Sequence, residues 1–271
     1  MQVIPAIDLR DGACVQLVGG SYADERVRIA DPLAVAENWA RLGFGRIHLV
    51  DLDAATGRGS NREIVRAILA AGTIKWPPRV TAGVGDGDSP SSSLEILKPA
   101  RLPREQRLKV QCGGGVRSLS AIAELFAAGA SEVVLGTRAI EDRPWLDDVV
   151  LRYPNRIIVA ADTRGRQLVT RGWSEIDPRT VIDFVDQLTS LPLAAILVTA
   201  VDREGRMEGP DLALMEKIAV RSKVPVQASG GVRGTDDLRT LAEVGVSAAI
   251  IGMALYTGML DPQTIIEEFP E

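Results

Sequence analysis

The sequence predicts an α/β fold, a (βα)8 TIM barrel built from two duplicated (βα)4 halves. Three observations lead there. Short apolar runs rich in Val and Ile, bounded by Gly, Pro or Asp, recur along all 271 residues; that is how strands buried on both faces read. About eight such runs alternate with about eight amphipathic stretches, the pattern of parallel strands joined by crossover helices. The markers of the first half then recur in the second half in the same order, which favours a closed barrel over an open doubly wound sheet.

In chain order, the first strand covers residues 2–8 and ends on Asp8. Asp31-Pro32 supplies a cap and a first-turn proline for a helix over 33–42, stopped by Gly43. The second strand, 46–52, leads to a helix over 62–71 opened by Ser60 or Asn61 and closed by Gly72. The third, 109–113, runs into Gly113-Gly114-Gly115, and Ser118 opens a helix over 119–128 that Gly129 closes. The fourth, 132–136, ends on Gly136-Thr137, and the fifth, 156–162, ends on Asp162. Asp177-Pro178 repeats the cap-proline device before a helix over 180–188. The sixth strand is 194–200, and the seventh, 223–229, runs into Ser229-Gly230-Gly231. Thr235 opens a helix over 236–244 closed by Gly245, and the eighth strand, 246–252, ends on Gly252-Met253.

The repeat rests on four matched pairs. Asp8 in Ala6-Ile7-Asp8-Leu9-Arg10 matches Asp162 in Ala160-Ala161-Asp162-Thr163-Arg164. Asp53, closing Leu49-Val50-Asp51-Leu52-Asp53, matches Asp202, closing Val198-Thr199-Ala200-Val201-Asp202. Val110-Gln111-Cys112-Gly113-Gly114-Gly115-Val116-Arg117 matches Val226-Gln227-Ala228-Ser229-Gly230-Gly231-Val232-Arg233, and Val134-Leu135-Gly136 matches Ile250-Ile251-Gly252. The spacing shortens by about 33 residues between the second and third pairs, so the first half carries extra chain within residues 73–107, whose Pro, Gly and Ser content reads as a long surface loop. No second core is legible there, so residues 1–271 are expected to form one domain with a loop-like insert. Because the insert joins a helix to a strand, it is expected on the face opposite the catalytic mouth.

Composition narrows the function. Apolar residues make up 46% and charged residues 25%, which excludes wholesale disorder. A net charge of −5 leaves no footprint for nucleic acid or an anionic membrane, while a local basic pocket for a small anion stays compatible. The apolar runs fall far short of the roughly 18 residues a membrane span needs, and the first residues lack the pattern of a secretion signal. Two cysteines and one histidine support neither a disulfide scaffold nor a Cys/His zinc site. A cytoplasmic monomer without metal or cofactor is the expectation.

The chemistry is expected at the carboxyl ends of the strands. Asp8 and Asp162 end strands one and five, opposite each other, which suits a base and an acid sharing one mouth. A single such Asp could equally cap a loop; the symmetric recurrence favours function. Gly114 and Gly115 after strand three, Gly136 and Thr137 after strand four, Gly230 and Gly231 after strand seven, and Gly252 after strand eight form two glycine-rich loop pairs whose backbone amides suit phosphate. Arg117 follows the first of them. A device present in both halves implies a small-molecule ligand with a phosphate at each end.

Taken together, Ile4-Pro5-Ala6-Ile7-Asp8-Leu9, His48-Leu49-Val50-Asp51-Leu52-Asp53, Gly113-Gly114-Gly115-Val116-Arg117-Ser118, Thr170-Arg171-Gly172-Trp173 and Ala228-Ser229-Gly230-Gly231-Val232 resemble the duplicated half-barrel isomerases of histidine biosynthesis, which act on phosphoribosylformimino-aminoimidazole-carboxamide ribotide. The resemblance covers nearly the whole chain apart from the insert. It implies a cofactor-free Amadori rearrangement of an aminoaldose to an aminoketose, with Asp8 as proton acceptor and Asp162 as proton donor. It also implies a substrate hydrogen bond from Thr199 and stacking of Trp173, beside Arg171, on the imidazole ring. His48 is expected to be a core or supporting histidine, and Cys14 and Cys112 buried small residues. Two positions depart from the family pattern. Ala200 stands where many members carry Asp, a role Asp202 could take over, and Gln16 stands where a basic residue is common. The rival readings are the sister cyclase barrel of imidazole-glycerol-phosphate synthase, whose strand-one pattern this chain does not match, and a non-catalytic phosphosugar-binding barrel. A second activity on phosphoribosylanthranilate stays open.

Overall fold

A computed structural model of the chain describes residues 1–72 and 108–270. Eight parallel strands close on themselves: β1 (Gln2–Arg10), β2 (Arg46–Asp51), β3 (Lys109–Gly113), β4 (Glu132–Leu135), β5 (Ile157–Ala160), β6 (Ala195–Thr199), β7 (Val226–Ser229) and β8 (Ala248–Ile251). Closure comes from β8 pairing with β1, Gln2 opposite Ala248 and Pro5 opposite Ile251. The other neighbours follow chain order. The duplicated (βα)8 barrel is therefore the fold.

Side-chain alternation decides what the barrel holds. Along β1, Ile4 and Ala6 belong to the inner apolar cluster, as do Ile158 and Ala160 along β5. With a period of two, the next inward positions are Asp8 and Asp162. Val3, Ile7 and Leu9 face the other way, into the larger layer between barrel and helices. The inner cluster is rich in alanine, because side chains from eight strands converge on a narrow axis.

The capping devices work largely as read. Asp31 accepts from the Ala34 amide at the start of helix Pro32–Leu42, and Gly43 ends it in the left-handed conformation. Ser118 and Gly129 do the same for Leu119–Ala128. Asp177-Pro178 is a correction: these residues lie in a strand, Glu175–Thr180, and helix Val181–Leu188 is capped by the Thr180 hydroxyl. Asp177 is instead held by Arg179 at 2.7 Å, and proline fits because this strand pairs on one side only.

Two mouth structures were not foreseen. β1 continues past the barrel into an antiparallel hairpin, Ala13–Val18 with Ser21–Ile29, turned at Gly19-Gly20. After β5 a separate sheet forms from Thr163–Arg164, Gln167–Thr170 and Glu175–Thr180. They occupy equivalent places in the two halves, so each carboxylate carries its own cover.

The insert expected at 73–107 lies outside the described residues. Its flanks do not: helix Arg62–Gly72 precedes it and β3 follows, which puts both flanks at the amino-terminal end of the strands. A methyl group on Gly72 would stand 3.1 Å from the Leu108 carbonyl oxygen, so the two flanks already meet. Replacing 73–107 with a short turn is therefore expected to leave turnover nearly intact, as rates of trimmed and parent protein would register. A trimmed barrel that folds without activity would contradict it.

Candidate active site

One cavity lies over the carboxyl ends of the strands and takes in Asp8, Asp162, Glu204, His48, Thr199, Trp173, Gly114, Gly115, Arg117, Gly136, Thr137 and Gly252. The structure thus brings nearly all the sequence-derived candidates to one mouth. Gly230 and Gly231 flank it through Ser229, which lines it.

Burial pushes the Asp8 carboxyl up to about 7, with no ion pair among the described residues to offset it. Burial also raises Asp162, partly opposed by hydrogen bonds from Trp173 and Thr199. Trp173 Nε1 donates to Asp162 Oδ2 at 2.7 Å. Thr199 therefore bonds Asp162 from the neighbouring strand end. Trp173 reaches Asp162 because Arg171, Gly172 and Trp173 are all left-handed, with φ of 54°, 64° and 68°. That tight turn folds the segment back across the mouth. The Arg171 amide is fixed by the Thr137 hydroxyl at 2.9 Å, and the Arg171 guanidinium pairs with Glu141 and Glu175.

Glu204 is the residue sequence reasoning missed. Burial, with the charges of Asp8 and Asp162, raises it to about 8, while a Ser229 hydrogen bond opposes the rise. Its Oε2 is buried and has no hydrogen-bond partner among the described residues. The turn Val201–Arg203 brings the chain back, and the Glu204 carbonyl accepts from the Gly19 amide at 3.0 Å, docking this loop on the first hairpin. Gly205 is left-handed and lies against the Leu17 backbone, with no room for a side chain. The Glu-Gly pair after the strand-six turn was the available signal. Asp202, expected to stand in for an acid at Ala200, is exposed and caps the Gly165 amide at 2.7 Å. Ala200 is simply buried. Asp51 also serves structure: it accepts from the amides of Ala54 and Asn61.

The glycine loops are tighter than the sequence implied. A side chain on Gly114 would strike the Asp51 backbone, and one on Gly231 the Gly209 carbonyl. These glycines seat one loop on the next, and substituting them would disturb the loop before any ligand. Gly136 is different: a methyl group there meets nothing within 4 Å. Arg117 bonds the Ala55 carbonyl at 3.1 Å from the rim. Gln16 is buried, donates to the Val15 carbonyl, and fills the space beside Gly252.

His48 is buried and histidine-neutral, its pKa pushed down to about 4 by burial. Cys14 and Cys112 are buried free thiols. Among the described residues no helix is long and apolar enough to cross a membrane.

A closed parallel barrel with matched carboxylates and matched glycine loops at one mouth defines a duplicated half-barrel protein. The family described as histidine biosynthesis protein matches residues 2–96 and 92–261, and the chain belongs to it. It is 49% identical over 269 residues to a protein of Gemmatimonas aurantiaca, covering 99% of both chains. It is 44% identical to one of Myxococcus xanthus over 99% of both, and 37% identical to one of Thermosynechococcus vestitus over 96% of this chain and 90% of that one. All three relatives bear the name 1-(5-phosphoribosyl)-5-((5-phosphoribosylamino)methylideneamino) imidazole-4-carboxamide isomerase.

Proposed function

We propose that this chain catalyses the same isomerisation, an Amadori rearrangement turning the aminoaldose of a bis-phosphorylated imidazole carboxamide into an aminoketose in histidine biosynthesis. The observation that carries the reading is the pair Asp8 and Asp162, at equivalent ends of the two halves and both raised by burial. A carboxyl near neutrality can exchange a proton in either direction at working pH.

Asp162 is the acid. Protonated, it assists opening of the ribose ring to a protonated imine, with Thr199 holding its carboxyl. Asp8 is the base. It takes the proton from carbon 2, leaving an enol; the enol hydroxyl then returns a proton to the Asp162 carboxylate while carbon 1 takes up a proton that has exchanged with solvent, giving the ketose. Glu204, raised to about 8, stays protonated at neutral pH and limits negative charge beside a ligand that carries two phosphates. The loops around Gly114, Gly115 and Arg117 with Gly136 and Thr137 hold one phosphate. Those around Gly230, Gly231 and Gly252 hold the other. Trp173 stacks on the imidazole after leaving Asp162. The chemistry is proton transfer alone, so it calls for no cofactor, and one chain supplies every group.

Following loss of the aldose with purified chain tests the reading; tight binding without conversion would instead identify a phosphosugar-binding barrel. For the phosphate assignment, Gly136→Ala is the informative variant. It is expected to raise KM while leaving the melting temperature nearly unchanged, because the methyl points into open cavity. An unchanged KM would remove this loop from the phosphate site.

A further inference from the structure

Two equivalent halves would accept a ligand with a phosphate at each end in either of two directions. The cavity lining is matched across the barrel for Ala6 with Ala160, Asp8 with Asp162, and Gly136 with Gly252. One level below the carboxylates the match breaks. His48 stands beside Ala6 on β2, and Leu197 stands beside Ala160 on β6. Both line the cavity.

The next strands are again matched, Gln111 beside His48 and Gln227 beside Leu197. These two buried amides bond each other across the barrel, Gln111 Nε2 to Gln227 Oε1 at 2.9 Å and Gln227 Nε2 to Gln111 Oε1 at 3.1 Å. Gln111 Nε2 also lies 2.8 Å from His48 Nδ1. An amide nitrogen donates and does not accept, so Nδ1 is the acceptor and the ring proton sits on Nε2. Gln227 has only Leu197 at the corresponding place. The floor is therefore polar on one side and apolar on the other, and the amide pair fixes which nitrogen of His48 carries the proton.

We infer that His48 is a specificity-determining residue that sets the direction in which the ligand lies, by offering an N–H donor where the equivalent position offers only Leu197. The inference rests on the bis-phosphate reading above. In the reversed direction the donor would face a group unable to accept from it, while Leu197 would face a polar group. One unpaired buried donor is enough to favour one direction by roughly ten- to a hundredfold. A reversed ligand keeps both phosphates bound but puts the wrong ribose between Asp8 and Asp162.

Phosphorus NMR of the bis(phosphoribosyl) imidazole carboxamide bound to Asp8→Asn, which holds it unconverted, tests this. Two substitutions separate structure from recognition. His48→Asn keeps a polar atom where Nδ1 was, and with it the Gln111 bond; His48→Gln keeps one where Nε2 was. The Asp8→Asn chain and its His48→Gln derivative are expected to give one pair of bound resonances, and His48→Asn two pairs. Leu197→His, which makes the halves alike from the opposite side, is a second route to two pairs. In the chain with Asp8 intact, His48→Asn is expected to lower kcat about two- to tenfold with KM falling alongside, as non-productive binding does. One pair of resonances in both His48→Asn and Leu197→His, with kcat unchanged, would overturn the inference. Absence of any bound resonance in Asp8→Asn itself would overturn the bis-phosphate reading and this inference with it.

Discussion

Asp8→Asn is expected to give a folded barrel whose turnover is lower by roughly 10²–10⁴-fold or more, with substrate still bound. Asparagine matches the shape and hydrogen-bonding reach of the carboxylate but takes up no proton from carbon 2. The same substitution should reveal what the site costs the fold. Asp8 titrates at about 7 in the folded chain, against about 4 when unfolded. The folded state thus binds the proton more tightly. That contribution is whole below about pH 4 and is lost as pH rises through about 7. Asn carries no charge, so the melting temperature of Asp8→Asn should match the parent at pH 4 and exceed it at pH 8. The gain is at most about 4 kcal/mol. Rates at saturating substrate and melting curves at the two pH values check both halves of the prediction. Near-normal turnover would take Asp8 out of the mechanism.

Asp162→Asn is the counterpart, with a loss of similar size, roughly 10²–10⁴-fold. The geometry makes it a clean test. Trp173 Nε1 donates to Oδ2, and an amide oxygen at that place still accepts, so the covering segment keeps its anchor. What disappears is the proton delivered to the ribose ring. In the parent the rate should rise with pH as Asp8 ionises near 7 and fall as Asp162, held up by burial, loses its proton. In Asp162→Asn the residual rate should lack the alkaline limb. An intact rate and limb would move the donor to Glu204, the third buried carboxyl of the mouth.

Much of this site was legible in the chain because duplication writes each functional group twice. Asp8 with Asp162 and the two glycine runs were found by matching halves, and the inward period-two alternation of β1 and β5 explains why the acids top the barrel interior. What stayed hidden depends on contacts between loops. The hairpin Ala13–Val18 with Ser21–Ile29 carries a Gly19-Gly20 turn signal, but its continuation of β1 is fixed by Asp8, Leu9 and Arg10 pairing with Val15, Cys14 and Ala13 across the bend. Glu204 carries only the weak signal of a Glu-Gly pair, because its place depends on a turn docking against that hairpin. Asp177-Pro178 misled because a cap-proline pair and a one-sided strand proline share a spelling. The glycine loops were located correctly, yet Gly114 and Gly231 are small chiefly for their neighbours' backbones.

The central claim is proton transfer at carbons 1 and 2 of the reacting sugar. It is tested most directly by running the purified chain on the aminoaldose in deuterium oxide and examining the product by proton NMR. The account predicts an aminoketose carrying one solvent deuterium at carbon 1, formed with Asp8 and Asp162 present and lost when either is Asn. An unconverted aldose, or a ketose that has kept the original hydrogen of carbon 2 by direct transfer to carbon 1, would contradict it.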